Sequence, residues 1–161
     1  MIIVTMMATG GCSSRTTIVH LADGRSLKAD YVYIDDERAQ FRADGWDYNL
    51  PAFLIADARV TEPIQIALIT ISSDTIEGPH GTIASFEDLM DYLDTYASRD
   101  HPIILELQEP ALWPESRRTE MGTAFGYIDE HPYVGLQGPW PTPKDVESRA
   151  SSLRGTRRRA I

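Results

Sequence analysis

Two Asp-Gly pairs, Asp23-Gly24 and Asp44-Gly45, constrain the first third of this chain more than any other feature. Asp-Gly between alternating apolar residues is the strongest short hairpin signal, because the tight turn needs positive φ at its central positions. The segments around these pairs alternate as strands do. In residues 16–22 (TTIVHLA), Ile18 and His20 oppose Val19 and Leu21. In residues 26–34 (SLKADYVYI), Leu27, Ala29, Tyr31 and Tyr33 oppose Val32 and Ile34. Asp35-Asp36 makes a further turn, residues 39–43 a third strand, and Trp46, Tyr48 and Leu50 a fourth. Pro51 interrupts the run, and the stretch from Leu54 to Val60 closes it. About five short strands joined by tight turns favour a small closed barrel, since closure removes exposed sheet edges.

From Pro63 onward the pattern changes. Residues 64–71 (IQIALITI) are apolar on both faces towards their end, as a central strand is. Ser72 to Gly81 is rich in turn residues and reads as a loop. Ser85 stands in an N-cap position with Asp88 three residues on, and Phe86, Leu89, Met90, Leu93 and Ala97 follow at helical spacing. Acids near that helix start suit its dipole. Pro102 to Gln108 is a strand, Glu115 to Ile128 a second helix weakened by Gly122 and Gly126, and Tyr133 to Gln137 a last strand. The order β-α-β-α-β favours right-handed crossovers and parallel pairing.

The fold class expected is therefore α+β: a five-stranded barrel over residues 16–61, then a β-α-β-α-β unit over residues 62–138. Residues 1–15 form a leader and residues 139–161 a Pro-, Ser- and Arg-rich tail, expected to be disordered. Charge follows the same division. Of the net −9, residues 144–161 contribute +4, which leaves −13 on the remainder. An acidic body disfavours a nucleic-acid face, because phosphate contacts need Lys and Arg on the folded surface. The arginines Arg157 to Arg159 suit anionic lipid headgroups, nucleic acid or the acidic body itself.

The leader carries a resemblance. The apolar run Met1 to Ala8, then Thr9-Gly10-Gly11-Cys12 and the polar Ser13-Ser14, resembles the lipobox end of a bacterial lipoprotein signal peptide. The resemblance implies that Cys12 is the first mature residue and carries lipid, and that the body sits in the cell envelope. Ser13 and Ser14 imply outer-membrane sorting in a diderm. The alternative is a cytosolic accessory or regulatory module in which Ile2 to Met6 is an edge strand. No apolar run approaches the ~18 residues that span a bilayer.

Two further resemblances concern the body. The run LADGRSLKADYVYIDDERAQFRADGWDYNLPAFLIADARV resembles small SH3-like or Sm-like barrels of bacterial envelope proteins. That implies partner binding or stiffening of an assembly, and no catalytic residues. Ser85, Leu89 and Leu93, then Pro102 to Leu107, then Val134-Gly135-Leu136, resemble the periplasmic domain of the ExbD/TolR family. The family's transmembrane helix with its proton-carrying Asp is not matched, and Gln108-Glu109-Pro110 replaces its Arg-Ala-Asp. The resemblance thus implies fold and a docking or self-association role, not ion-driven work.

Candidates for chemistry are few. One cysteine excludes an internal disulfide or a Cys-based zinc site. His20, His80, His101 and His131 lack metal-ligand spacing, and no P-loop, G-x-G-x-x-G or G-x-S-x-G occurs. No metal or cofactor is expected, and the protein is read as non-enzymatic. An enzyme reading would centre on loop residue His80 beside Asp74 and Glu77. Trp46, Tyr48, Tyr31, Tyr33 and Phe53 form a candidate aromatic groove for a peptide or glycan, with His80 as a further partner contact. The competing role for those rings is to fill a small core and pack the seam between domains.

Overall fold

A computed structural model describes residues 16–139. The leader, with Cys12, and most of the tail lie outside the described residues. Four strands follow the turns: β1 (Thr17–Leu21), β2 (Ser26–Ile34), β3 (Arg38–Ala43) and β4 (Trp46–Pro51). Asp44 (φ 53°) and Gly45 (φ 80°) both occupy the left-handed region that the tight β3–β4 hairpin needs. Pro51 ends β4, a 3-10 turn spans Ala52–Leu54, and β5 is only Ile55–Ala56. Then come β6 (Ala67–Ile71), β7 (Ile76–Gly78), β8 (Gly81–Ile83), α1 (Phe86–Tyr96), β9 (Ile103–Leu107), α2 (Glu115–Glu130) and β10 (Val134–Gly138).

All ten strands join one sheet in the order β5-β1-β2-β3-β4-β10-β9-β6-β7-β8. This corrects the expected barrel followed by a β-α-β-α-β unit. The sheet is open, ending at β5 and β8. The reason lies at β4. Its free edge pairs antiparallel with β10, Leu136 opposite Asn49 and Gln137 opposite Tyr48. The strand expected to close a barrel shrinks to two residues, which pair with β1 through His20–Ala56 and Leu21–Ile55. β10, β9 and β6 are mutually parallel, with Val134 and Ala67 both opposite Ile103. The stretch read as a loop forms the β7–β8 hairpin, Ile76 opposite Ile83.

Alternation along β9 divides the interior. Ile103, Leu105 and Leu107 face the helices, together with Ile69 and Ile71 of β6, Phe86, Leu89 and Leu93 of α1, and Met121, Ala124 and Ile128 of α2. Ile104 points the other way, into a second cluster with Val19, Leu21, Phe41, Tyr48, Leu50 and Leu54. Phe41 and Tyr48 stack there, ring centroids 4.7 Å apart. Each fully buried Leu or Ile contributes about 1.5–3 kcal/mol by leaving water, so both clusters are needed to hold one sheet.

The helices are fixed locally. Ser85 caps α1: its hydroxyl accepts from the Asp88 amide at 3.1 Å and donates to the Asp88 carboxylate at 2.7 Å. Trp113 donates from Nε1 to the Gln108 carbonyl at 2.7 Å, anchoring the turn before α2. Arg117 lies 4.5 Å from the Phe86 ring centroid and donates to the Ser72 and Thr75 carbonyls. These contacts set α2 beside α1 and bring both C-terminal ends to the start of β10.

A candidate binding cleft at the seam

Where α1 and α2 end, a cleft of about 360 Å³ opens between Asp94 and Ala97 of α1 and Tyr127, Glu130, His131, Pro132 and Tyr133. Tyr127 donates its phenol to Asp94. Asp94 lies 3.8 Å from His131 Nε2, with the His131 side chain 10% exposed and that of Asp94 64% exposed. The Tyr133 amide donates to His131 Nδ1 at 3.3 Å. That contact makes Nδ1 the acceptor and leaves the proton on Nε2, toward Asp94.

Rings continue away from the cleft as a ladder. Tyr127 and His131 are 5.9 Å apart between centroids, His131 and Tyr133 6.2 Å, and Tyr133 and Phe53 6.2 Å. The Arg99 guanidinium sits over Phe53 at 5.2 Å. The ladder therefore crosses from α2 to the turn after β4.

Arg38 supports the cleft from behind. This β3 residue is 8% exposed. Nη1 donates to the carbonyls of Val134 (2.8 Å) and His131 (3.3 Å), and Nε to Asn49 Oδ1 (3.0 Å). Asn49 in turn donates to Asp129 of α2 at 2.7 Å. Burial lowers the Arg38 pKa, opposed by the charges of Asp129 and Asp35. One side chain thus ties the first half of the chain to the α2–β10 corner, residues 93 to 96 positions away.

Electrostatics make the cleft acidic. Burial pushes His131 below its usual 6.5, with Asp94 raising it and Arg38 lowering it further, so it is neutral at pH 7. Partial burial, the bond to Asp94 and the charges of Asp94 and Asp91 push Tyr127 up to about 12. The sign for stability follows from linkage. Below 6.5 the unfolded chain binds a proton that folded His131 refuses. This stabilisation is fully present above 6.5 and is lost as pH falls towards the folded pKa. The His131 ring is expected to titrate below 6.5 by NMR, and the urea midpoint to drop as pH is lowered through that window. His131→Gln is expected to flatten the drop. A titration midpoint above 6.5 would show that Asp94 outweighs burial.

The residues expected from sequence lie apart. Tyr48 is 7% exposed and stacked in the second core. Trp46 packs half-buried against the same core. Tyr31 is on the opposite face, 43% exposed, with its hydroxyl 3.5 Å from Asp47. These three form no common groove. Phe53 joins the seam ladder. His80 sits in the β7–β8 turn, 6.5 Å and 6.3 Å from the rings of Tyr92 and Tyr96 on α1. No motif in the sequence groups Asp94, Tyr127, His131, Tyr133 and Arg38. The sequence signal nearest to them is Tyr127 and His131, four apart at the end of a helix.

No family model matches the chain, no curated protein matches it, and no solved structure matches it. Among the described residues, no group of three or more His, Cys, Asp or Glu could hold a metal ion, and no helix is long and apolar enough to cross a membrane.

Proposed function

We propose that this protein is a non-enzymatic binding module of a bacterial cell envelope, tethered through lipid on Cys12, and that the seam cleft receives its partner. The cleft carries the reading: a concave space with two carboxylates and three rings among its lining residues, where α1 and α2 end beside the start of β10. Its groups suit recognition better than proton transfer. His131 Nδ1 accepts from the Tyr133 amide, and a Tyr127 phenol near 12 stays protonated at neutral pH.

The tether is supported by the apolar run ahead of Cys12 and the short distance from Cys12 to β1 at Thr17. Intact-mass spectrometry of the protein from its native host tests it. Loss of residues 1–11 with added acyl chains is expected, and the Cys12→Ala chain is expected to show neither. An unprocessed chain starting at Met1 would favour the cytosolic module instead. The cleft is tested by a photo-crosslinking residue at exposed Glu130. A discrete adduct is expected, lost on Tyr133→Ala and absent with the probe at exposed Lys28. Equal labelling from both positions would remove the cleft as the partner's site.

A further inference from the structure

The cleft's chemistry selects a cation. Asp94 and Glu130 line it together with the rings of Tyr127, His131 and Tyr133. Asp91 and Asp129 add negative charge close by, acting on Tyr127 and Arg38. Neutral His131 supplies no offsetting charge at pH 7, and Arg38 is committed to backbone carbonyls behind it. Carboxylates beside aromatic faces hold a planar guanidinium best, by paired hydrogen bonds and stacking together. The same ladder already holds one guanidinium at its far end, Arg99 over Phe53.

We propose that the cleft is a guanidinium site and that its resident occupant is the arginine run Arg157–Arg159 of the chain's own C-terminal segment. The proposal rests on reading the cleft as a binding site. Charge complementarity identifies the occupant: residues 144–161 carry +4 and the remainder of the chain −13. Reach permits it. β10 starts beside the cleft at Val134 and the chain leaves its far end at Gly138, a separation of about 13 Å at the rise of an extended strand. From Pro139 to Arg157 the covalent chain can reach at most ~60 Å. That exceeds the distance back to the cleft, so tethered arginines compete at an effective concentration on the order of millimolar. A partner with its own basic group must then displace the tail.

The test uses full-length protein. The natural chain and the Arg157→Ser/Arg158→Ser/Arg159→Ser variant are titrated with N-acetyl-arginine-N-methylamide, following the ring resonances of Tyr127, His131 and Tyr133. The variant is expected to bind this probe about threefold tighter or more, because the tethered competitor is gone. Adding Asp94→Asn and Glu130→Gln to the variant is expected to abolish binding. Equal affinity in natural chain and variant would overturn the tail as occupant. Failure of the probe to shift the three rings in the variant, or its undiminished binding after the carboxylates are replaced, would overturn the guanidinium site. Neither result touches the Glu130 crosslink, so this proposal and the binding-module reading fail separately.

Discussion

Replacing Arg38 by alanine is expected to destabilise the protein by about 3 kcal/mol or more, among the largest effects of any single polar substitution. Arg38 is 8% exposed, and its guanidinium reaches the carbonyls of His131, Val134 and Asn49 and the Asn49 amide oxygen. Truncation strands the buried Val134 carbonyl and leaves three part-buried acceptors without this donor, and a buried orphan costs about 1–3 kcal/mol. Arg38→Lys keeps the charge but loses the planar fork, so roughly half the loss is expected to remain. Arg38→Met separates packing from polarity: filling the volume without a buried charge is expected to cost less than alanine. The measurement is urea unfolding of all three variants. A cost under about 1 kcal/mol for Arg38→Ala would mean that water satisfies those carbonyls. The same substitution reports on the cleft. Arg38 lowers the His131 pKa, so in a folded Arg38→Ala protein the His131 titration is expected to move up towards 6.5.

The location of this residue explains what the sequence could and could not disclose. Local chemistry was legible. Asp44-Gly45 requires a left-handed turn and makes one, the Ser85 cap sits where helix spacing begins, and strands β1, β3 and β4 follow the alternation of their apolar residues. In β2 an irregularity between Ala29 and Tyr31 leaves Tyr31 and Tyr33 exposed while Ala29 and Val32 reach the core. Pairing between distant strands was not legible. Nothing in the period of residues 46–50 states that β4's other edge will meet Val134–Gly138 rather than the segment following Pro51. A closed barrel and an open sheet satisfy the same alternation. They differ only in which backbone edge finds a partner, and β10 pairs with β4 through Leu136, Gln137 and Gly138 where β5 is only Ile55–Ala56. The β7–β8 hairpin escaped notice because its strands are three residues each and its turn, Gly78-Pro79-His80-Gly81, reads as loop. The cleft is a further step removed. Asp94, Tyr127 and Tyr133 look like a solvated acid and ordinary core or surface rings until the two helix ends are placed side by side. Phe53 was singled out as an aromatic of the first half, yet its neighbour is Tyr133 of the second.

Gly138→Ala is expected to cost about 3 kcal/mol or more, and to exceed Gly135→Ala although Gly135 lies deeper in the strand. A Cβ at Gly138 would meet the Leu107 carbonyl oxygen at 2.7 Å and the Leu107 amide nitrogen at 3.3 Å, and φ is +151°. Both of these atoms are backbone, and the Leu107 Cβ between them, at 3.1 Å, is fixed to it. Relief requires β10 to pull away from β9, which breaks the parallel ladder, or the residue to leave a φ that L side chains rarely adopt. At Gly135 the first obstacle is the Leu50 Cδ2 methyl at 2.7 Å, the end of a side chain that can turn aside. The Pro51 and Ile104 atoms behind it, at 3.3 Å and 3.4 Å, then limit how far it moves. About 1–3 kcal/mol is expected there, the usual cost of overpacking. Urea unfolding of the two variants side by side decides the order. If Gly135→Ala proves the costlier, the close approach of β4 to β9 across Gly135 is the tighter constraint, and the end of β10 yields more readily than its φ implies. If Gly138→Ala is costlier, the end of β10 is held as firmly as its middle. The chain then departs at Pro139 from a fixed point at the end of β10.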